Sequence, residues 1–188
     1  MLWMIRHGTT RLGEEGKYQG KLDDGLSPKG AEALRQADFK PEALFVSPAL
    51  RARETAAILF PGAEAHILPD LREMDFGVFE GRSWKEMEGD PDYRAWVDSN
   101  CSLRCPGGED RAAFTDRVNA ALEEVLQNGT DGTVIVAHGG TMMAALGRRG
   151  RPARDYWKWQ LPCGCGWLLE SDPDTGCLRV LREGSFLK

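Results

Sequence analysis

A length of 188 residues is that of one compact domain, and 41% hydrophobic with 28% charged residues is an ordinary globular balance, which excludes intrinsic disorder and fibrous architectures. Lys and Arg number 24 against 29 Asp and Glu, a net charge of -5. No basic excess exists for general binding of nucleic acid or an anionic membrane, so a bound anion must meet a local cluster of cations.

No run approaches the ~20 apolar residues that cross a bilayer. Met1 to Ile5 is too short for a signal peptide, so a cytoplasmic protein is expected. The five cysteines are an odd number in a chain large enough to need no staples. Reduced thiols are therefore expected.

The run Leu2 to Ile5 reads as a buried strand delivering Arg6-His7-Gly8 at its carboxyl end. Thr9 to Leu26 reads as a long ordered loop, a length that is usually functional. Ser27-Pro28 then opens a helix as cap and first residue, with Leu34 and Ala37 facing inward. Ala43 to Val46 repeats the pattern: a short apolar strand ends in Ser47-Pro48, and the serine is expected to cap a helix that carries Arg51 in its first turn and stops near Pro61-Gly62.

Ala65 to Leu68 is a weaker third strand. Residues 69–108, rich in Gly, Pro, Asp, Glu and Trp, read as an insertion that decorates the site of a single domain spanning 1–188. Phe114, Val118, Ala121, Leu122, Val125 and Leu126 recur at helical spacing within a helix expected from Glu109 to Gln127. Thr133 to Ala137 is a β-branched strand presenting His138-Gly139-Gly140, followed by a helix. Cys165–Glu170 and Cys177–Arg182 flank a turn and read as an antiparallel hairpin at a sheet edge. Strands alternating with helices predict an α/β domain with a mostly parallel sheet. Ligands of such sheets lie beyond the carboxyl ends of the strands, where Arg6, His7, Ser47 and His138 are delivered.

Two of the three histidines follow apolar strands and precede glycine. An imidazole beside cations keeps its lone pair, because the charges disfavour protonation. Guanidinium forks match phosphate oxygens, so Arg6 and Arg51 beside His7 point to a phosphoryl group held for attack by the ring. A leaving oxygen also needs a proton. Glu73, Asp75 and Glu80 are three candidates for it, and their spacing does not rank them.

Each residue also has a plainer reading. His138 alone would be a core histidine, His66 has no glycine or cation beside it and reads as structural, and Arg51 could be a solvated helix residue. The pairs Cys101/Cys105 and Cys163/Cys165 depart from the C-x-x-C spacing of zinc knuckles.

Arg6-His7-Gly8-Thr9-Thr10, Tyr18-Gln19-Gly20, Leu26 to Gly30, Ser47 to Arg51 through Thr55-Ala56, Leu71 to Gly81, Pro106-Gly107-Gly108-Glu109 and Ala137 to Thr141 resemble, in order, the motifs of the histidine phosphatase superfamily, phosphoglycerate-mutase-like branch. The resemblance implies a three-layer α/β/α sandwich and a reaction through a phosphohistidine on His7. It makes Glu73 the proton donor. Arg6, Arg51 and His138 would hold the phosphoryl oxygens, and the backbones of Gly8 and Gly139 would approach the ligand closely.

It implies no metal or other cofactor, and a small phosphate ester as partner rather than nucleic acid or membrane. Where the family usually has an acidic residue and an asparagine, this chain has Thr9 and Gly13, leaving Gln19 or a main-chain N–H to contact the phosphate. Met143 stands where many relatives carry arginine. The short chain resembles small phosphatases such as the α-ribazole phosphatases. A phosphoglycerate mutase and a noncatalytic phosphate-binding regulator are the alternatives.

Overall fold

A computed structural model describes residues 1–188. Seven strands form one sheet: β1 (Leu2–Arg6), β2 (Ala43–Val46), β3 (Ala65–Ile67), β4 (Thr133–Ala137), β5 (Gly150–Arg151), β6 (Cys165–Ser171) and β7 (Leu178–Ser185), in the order β3-β2-β4-β1-β6-β7-β5. The pairings β3-β2, β2-β4, β4-β1 and β7-β5 are parallel, whereas β6 runs antiparallel to both β1 and β7.

Alternation along the central strands divides the core in two. Trp3, Ile5, Leu44, Val46, Val134 and Val136 face one side, and Leu2, Met4, Phe45, Ile135 and Ala137 the other. Both faces are covered, as apolar strands without polar alternation require. Helix α3 (Leu50–Leu59) buries Ala52, Ala56 and Leu59 on the first face, and α5 (Arg111–Asn128) with α6 (Gly139–Arg149) buries Phe114, Val118, Leu122, Met142 and Leu146 on the second. Each large apolar side chain fully removed from water there contributes roughly 1.5–3 kcal/mol.

Several local expectations are refined. The stretch from Thr9 to Leu26 is not all loop: Thr10 caps a short helix α1 (Arg11–Glu14) by accepting from the Gly13 amide. Ser27 caps α2 (Pro28–Ala33) through the Gly30 amide. That helix ends before Leu34 and Ala37, which are nevertheless buried. Helix α4 (Pro91–Asp98), capped by Asp90, is the main element between 69 and 108. Asp110 caps α5, so that helix begins two residues after Glu109. β3 is an exposed edge strand that stops at Ile67. The terminal hairpin is not the sheet edge, because β5, which has no periodic signal in two residues, pairs outside β7. No helix is long and apolar enough to cross a membrane.

Candidate active site

The register of the three central parallel strands builds the site. Arg6 pairs with Ala137 and Val46 with Val136, so His7, Ser47 and His138 leave the sheet side by side at its carboxyl edge. The His7 and His138 rings lie 5.1 Å apart between centroids, inclined at 63°. The Gly8 carbonyl, 2.7 Å from His7 Nδ1, can only accept, so that nitrogen carries the proton and Nε2 keeps its lone pair. Burial, then the charges of Arg51 and Arg6, lower the His7 pKa to about 3. The ring is therefore neutral at physiological pH.

His138 is fully buried, and the same causes in the same order, burial and then Arg51, hold it well below the ordinary histidine range. Its Nε2 lies 2.7 Å from Ser47 Oγ, and its Nδ1 has no protein partner. Ser47 was expected to cap α3. The cap residue is Ala49, without a side-chain bond; the Ser47 oxygen accepts only from the Ala49 amide, at 3.4 Å, and its hydroxyl meets His138 Nε2. A serine that donates to Nε2 leaves Nδ1–H as a donor.

Arg51 is 0% exposed. Its Nη1 donates to the Leu22 carbonyl at 2.9 Å, and its Nη2 to those of Gln19 and Gly20 at 3.2 and 3.1 Å. Its Nε is unpaired. Arg6 likewise donates from Nη1 to the Leu161 carbonyl at 2.6 Å and leaves Nε without a partner. Both cations are thus tethered at one end by carbonyls. A buried cation with an unused donor favours an anion, and the two Nε–H groups can supply what an oxyanion lacks.

The three candidate carboxylates separate by role. Glu73 accepts from the Met74 amide at 2.9 Å and from the Gly140 amide, in the first turn of α6, at 2.9 Å. Burial raises its pKa, opposed by those two amides and by Arg51 and Arg6. A Cβ on Gly140 would fall 2.1 Å from Glu73 Oε1, so only glycine admits the carboxylate there.

Glu80 instead clamps the backbone. Its oxygens accept from the amides of Gly20, Lys21, Leu22 and Phe76 at 2.9 to 3.2 Å. It thereby fixes the carbonyls that hold Arg51. Asp75 accepts from the Gly77 amide and pairs with Lys21. Glu80→Ala is expected to cost about 2 kcal/mol, since charge-assisted bonds to four amides are lost. Thermal unfolding and phosphate affinity, measured together, check this; an unchanged affinity would contradict the clamp.

A cavity of about 440 Å³ has Arg6, His7, Glu73, Gly139 and Gly140 at its floor, while Arg51 and His138 are not among its lining residues. Its walls are aromatic: Tyr18, Phe76, Trp84, Trp96, Phe114, Tyr156 and Trp157. Arg111 and Lys17 are its remaining charged residues. No three His, Cys, Asp or Glu side chains are grouped so as to hold a metal ion, and the five cysteines are unpaired.

Gln19 lies in the cavity wall, with Oε1 accepting from Thr10 Oγ1 at 2.7 Å, and Gly13 lines the same wall. Gly139 gives Arg6 room, since a Cβ there would lie 3.3 Å from its Cζ. Gly8 is not among the residues that line the cavity; its amide donates to Thr55 Oγ1, and a Cβ there would meet the end of the Leu34 side chain at 2.9 Å. His66 lies on the exposed edge strand, apart from the site.

Trp84, Trp96, Trp157 and Trp159 read from the sequence as packing residues, some of them a substrate wall, and the first three do line the cavity. Arg111 carries no local signal as a site residue, and Ser47-Pro48 signals a cap. Only proximity reassigns those two.

A parallel sheet presenting two neutral imidazoles between two tethered guanidinium groups defines a phosphoryl-handling protein of the histidine phosphatase type. A family model of the histidine phosphatase superfamily (branch 1) matches residues 2–183, and the chain belongs to that family. It is 30% identical over 195 aligned positions to an adenosylcobalamin/alpha-ribazole phosphatase of Salmonella typhimurium, covering 97% of this chain and 96% of that one. It is 32% identical over 155 positions to a metal-independent phosphoserine phosphatase of Arabidopsis thaliana, covering 75% and 65%. The alpha-ribazole phosphatase from Shigella flexneri has a similar structure, with a TM-score of 0.82 at 28% identity over 96% of this chain and 95% of that one.

Proposed function

We propose that the protein is a metal-independent phosphomonoesterase that works through a phosphohistidine on His7. The observation that carries this reading is the paired rings of His7 and His138, 5.1 Å apart, flanked by the unpaired Nε donors of Arg6 and Arg51. His7 Nε2 attacks phosphorus. The P–N bond forms as the P–O bond to the leaving alcohol breaks, and Glu73 gives that oxygen its proton. Arg6, Arg51 and His138 take up the charge that spreads over the remaining oxygens. Glu73, now a carboxylate, takes a proton from the water that attacks the phosphohistidine, releasing phosphate and restoring the enzyme.

The walls favour a bulky, flat leaving group. Seven aromatic side chains line the cavity, and Glu73 is its only carboxylate. Phosphoserine would place its ammonium among Arg6, Lys17 and Arg111 with no free anion to pair it, and a three-carbon glycerate would leave most of 440 Å³ unfilled. An alcohol bearing a heterocycle, as in a benzimidazole riboside 5′-phosphate, fills the space and stacks on the walls. The name of the Salmonella relative is in keeping with this preference.

A panel of phosphate esters assayed with chelator present tests both parts. Turnover is expected to persist, with kcat/KM for the heterocyclic ester at least about 100-fold above phosphoserine, a difference of two decades that desolvating an unpaired ammonium and losing the stacking contacts supplies. Faster phosphoserine hydrolysis would refute the assignment of the leaving group. Phosphate binding without turnover of any ester would make the protein a regulator, and exchange between the 2 and 3 positions of glycerate would make it a mutase.

A further inference from the structure

The segment Pro106-Gly107-Gly108-Glu109 plays no part in the steps above, yet it is zipped against the loop that carries Glu73. The Glu109 amide donates to the Asp75 carbonyl at 2.9 Å, the Asp75 amide donates to Glu109 Oε2 at 3.0 Å, and the Val78 amide donates to the Pro106 carbonyl at 2.9 Å. The two backbones touch: a Cβ on Gly108 would lie 2.3 Å from the Asp75 carbonyl oxygen, and one on Gly77 would lie 2.1 Å from that of Pro106. Glu109 also forms a two-pronged pair with Arg117 of α5, Nε to Oε1 at 2.9 Å and Nη2 to Oε2 at 2.7 Å.

The other donors of Arg117 all reach the acid-bearing loop. Nη1 donates to the carbonyls of Asp70 at 2.9 Å and Arg72 at 3.1 Å, and Nη2 to that of Glu73 itself at 3.4 Å. All five N–H groups of the guanidinium are therefore used. Both partners are largely shielded from water, with side-chain exposures of 11% for Arg117 and 18% for Glu109.

From this geometry we infer that Arg117 and Glu109 are positioning residues for the proton donor. They touch neither the cavity floor nor the imidazoles. They hold the peptide of Glu73 against α5, while the Met74 and Gly140 amides hold its carboxyl end. Displacing that peptide degrades proton delivery to the leaving oxygen and leaves the nucleophile just past β1 and the cation on α3 in place. The inference rests on the phosphohistidine reading with Glu73 as acid.

An alkyl ester and p-nitrophenyl phosphate separate the effects, because an alkoxide needs the proton and nitrophenolate leaves without it. In both cases kcat/KM reports the steps up to phosphoenzyme formation. Arg117→Gln is expected to lower kcat/KM for the alkyl ester by about 10-fold or more while changing that of the nitrophenyl ester by less than about 3-fold, the scale of a small misplacement of a reacting group. Glu109→Gln is expected to do the same, and Arg117→Lys to recover part of the loss.

Circular dichroism reports folding for each variant, so if Arg117→Gln does not fold, Arg117→Lys and Glu109→Gln carry the test. Equal losses on both esters, or no loss on either, overturn the positioning role. Glu73→Gln in parallel tests the reading beneath it. If that variant also fails to distinguish the esters, Glu73 is not the acid; if it distinguishes them and the Arg117 and Glu109 variants do not, only the present inference falls.

Discussion

His7→Ala is expected to lower turnover by at least about 10⁴-fold and to abolish an acid-labile, alkali-stable phosphoprotein trapped by a denaturing quench at alkaline pH. The loss is large because no neighbour can replace the nucleophile. His138, the only other imidazole at the site, is fully buried with Nε2 held at 2.7 Å from Ser47. Cys163 lines the cavity, but a thiol there would give an acid-stable label. Quench experiments with labelled substrate decide between them, and label on serine or cysteine would end the proposed mechanism.

The same substitution has a thermodynamic signature. The His7 pKa is lowered to about 3, so between there and the ordinary value near 6.5 the unfolded chain binds a proton that the folded chain refuses. The contribution of His7 to stability is present in full above pH 6.5 and is lost as the pH falls toward 3. Unfolding followed across that window should be less acid-sensitive in His7→Ala than in the wild type. An unchanged acid dependence would show that His7 does not titrate as its burial requires.

Glu73→Gln is expected to lower kcat/KM for alkyl esters by about 10²- to 10⁴-fold, the range of general acid catalysis. The sign of the pH dependence follows from the two opposed shifts. His7 is already neutral above about pH 3, and burial raises the Glu73 pKa above the ordinary carboxylate range, so the window in which the nucleophile is free and the acid still holds its proton is bounded above by the raised Glu73 pKa. For alkyl esters kcat/KM should therefore fall as pH rises through the Glu73 pKa. That limb should disappear in Glu73→Gln. A profile rising steadily from pH 5 to pH 8 in the wild type would contradict the assignment.

Much of this site is legible in the chain because its signals are local. Apolar runs that end at Arg6-His7 and at His138-Gly139 mark strand ends, and parallel pairing brings strand ends to one edge. The cap at Ser27 likewise acts over three residues. Other roles have no local signature. Glu73, Asp75 and Glu80 share one short segment, but one meets the Gly140 amide 67 positions away, whereas another clamps amides some 60 positions earlier. Ser47-Pro48 reads as a cap until β4 lies beside β2 and gives its hydroxyl to His138, 91 positions on. β5 is two residues long and exists only because β7 is there to pair with it.

Period, capping and residue type thus determined by themselves an α/β chain with two histidines and an arginine at strand ends, since each acts within a turn or two of backbone. The choice of proton donor, the carbonyl ligands of Arg51, the partner of His138 and the grip of Arg117 on the acid loop were decided only in the tertiary structure. Each is a hydrogen bond between groups far apart in sequence, and its geometry does not exist until the sheet and both helical layers have closed around it.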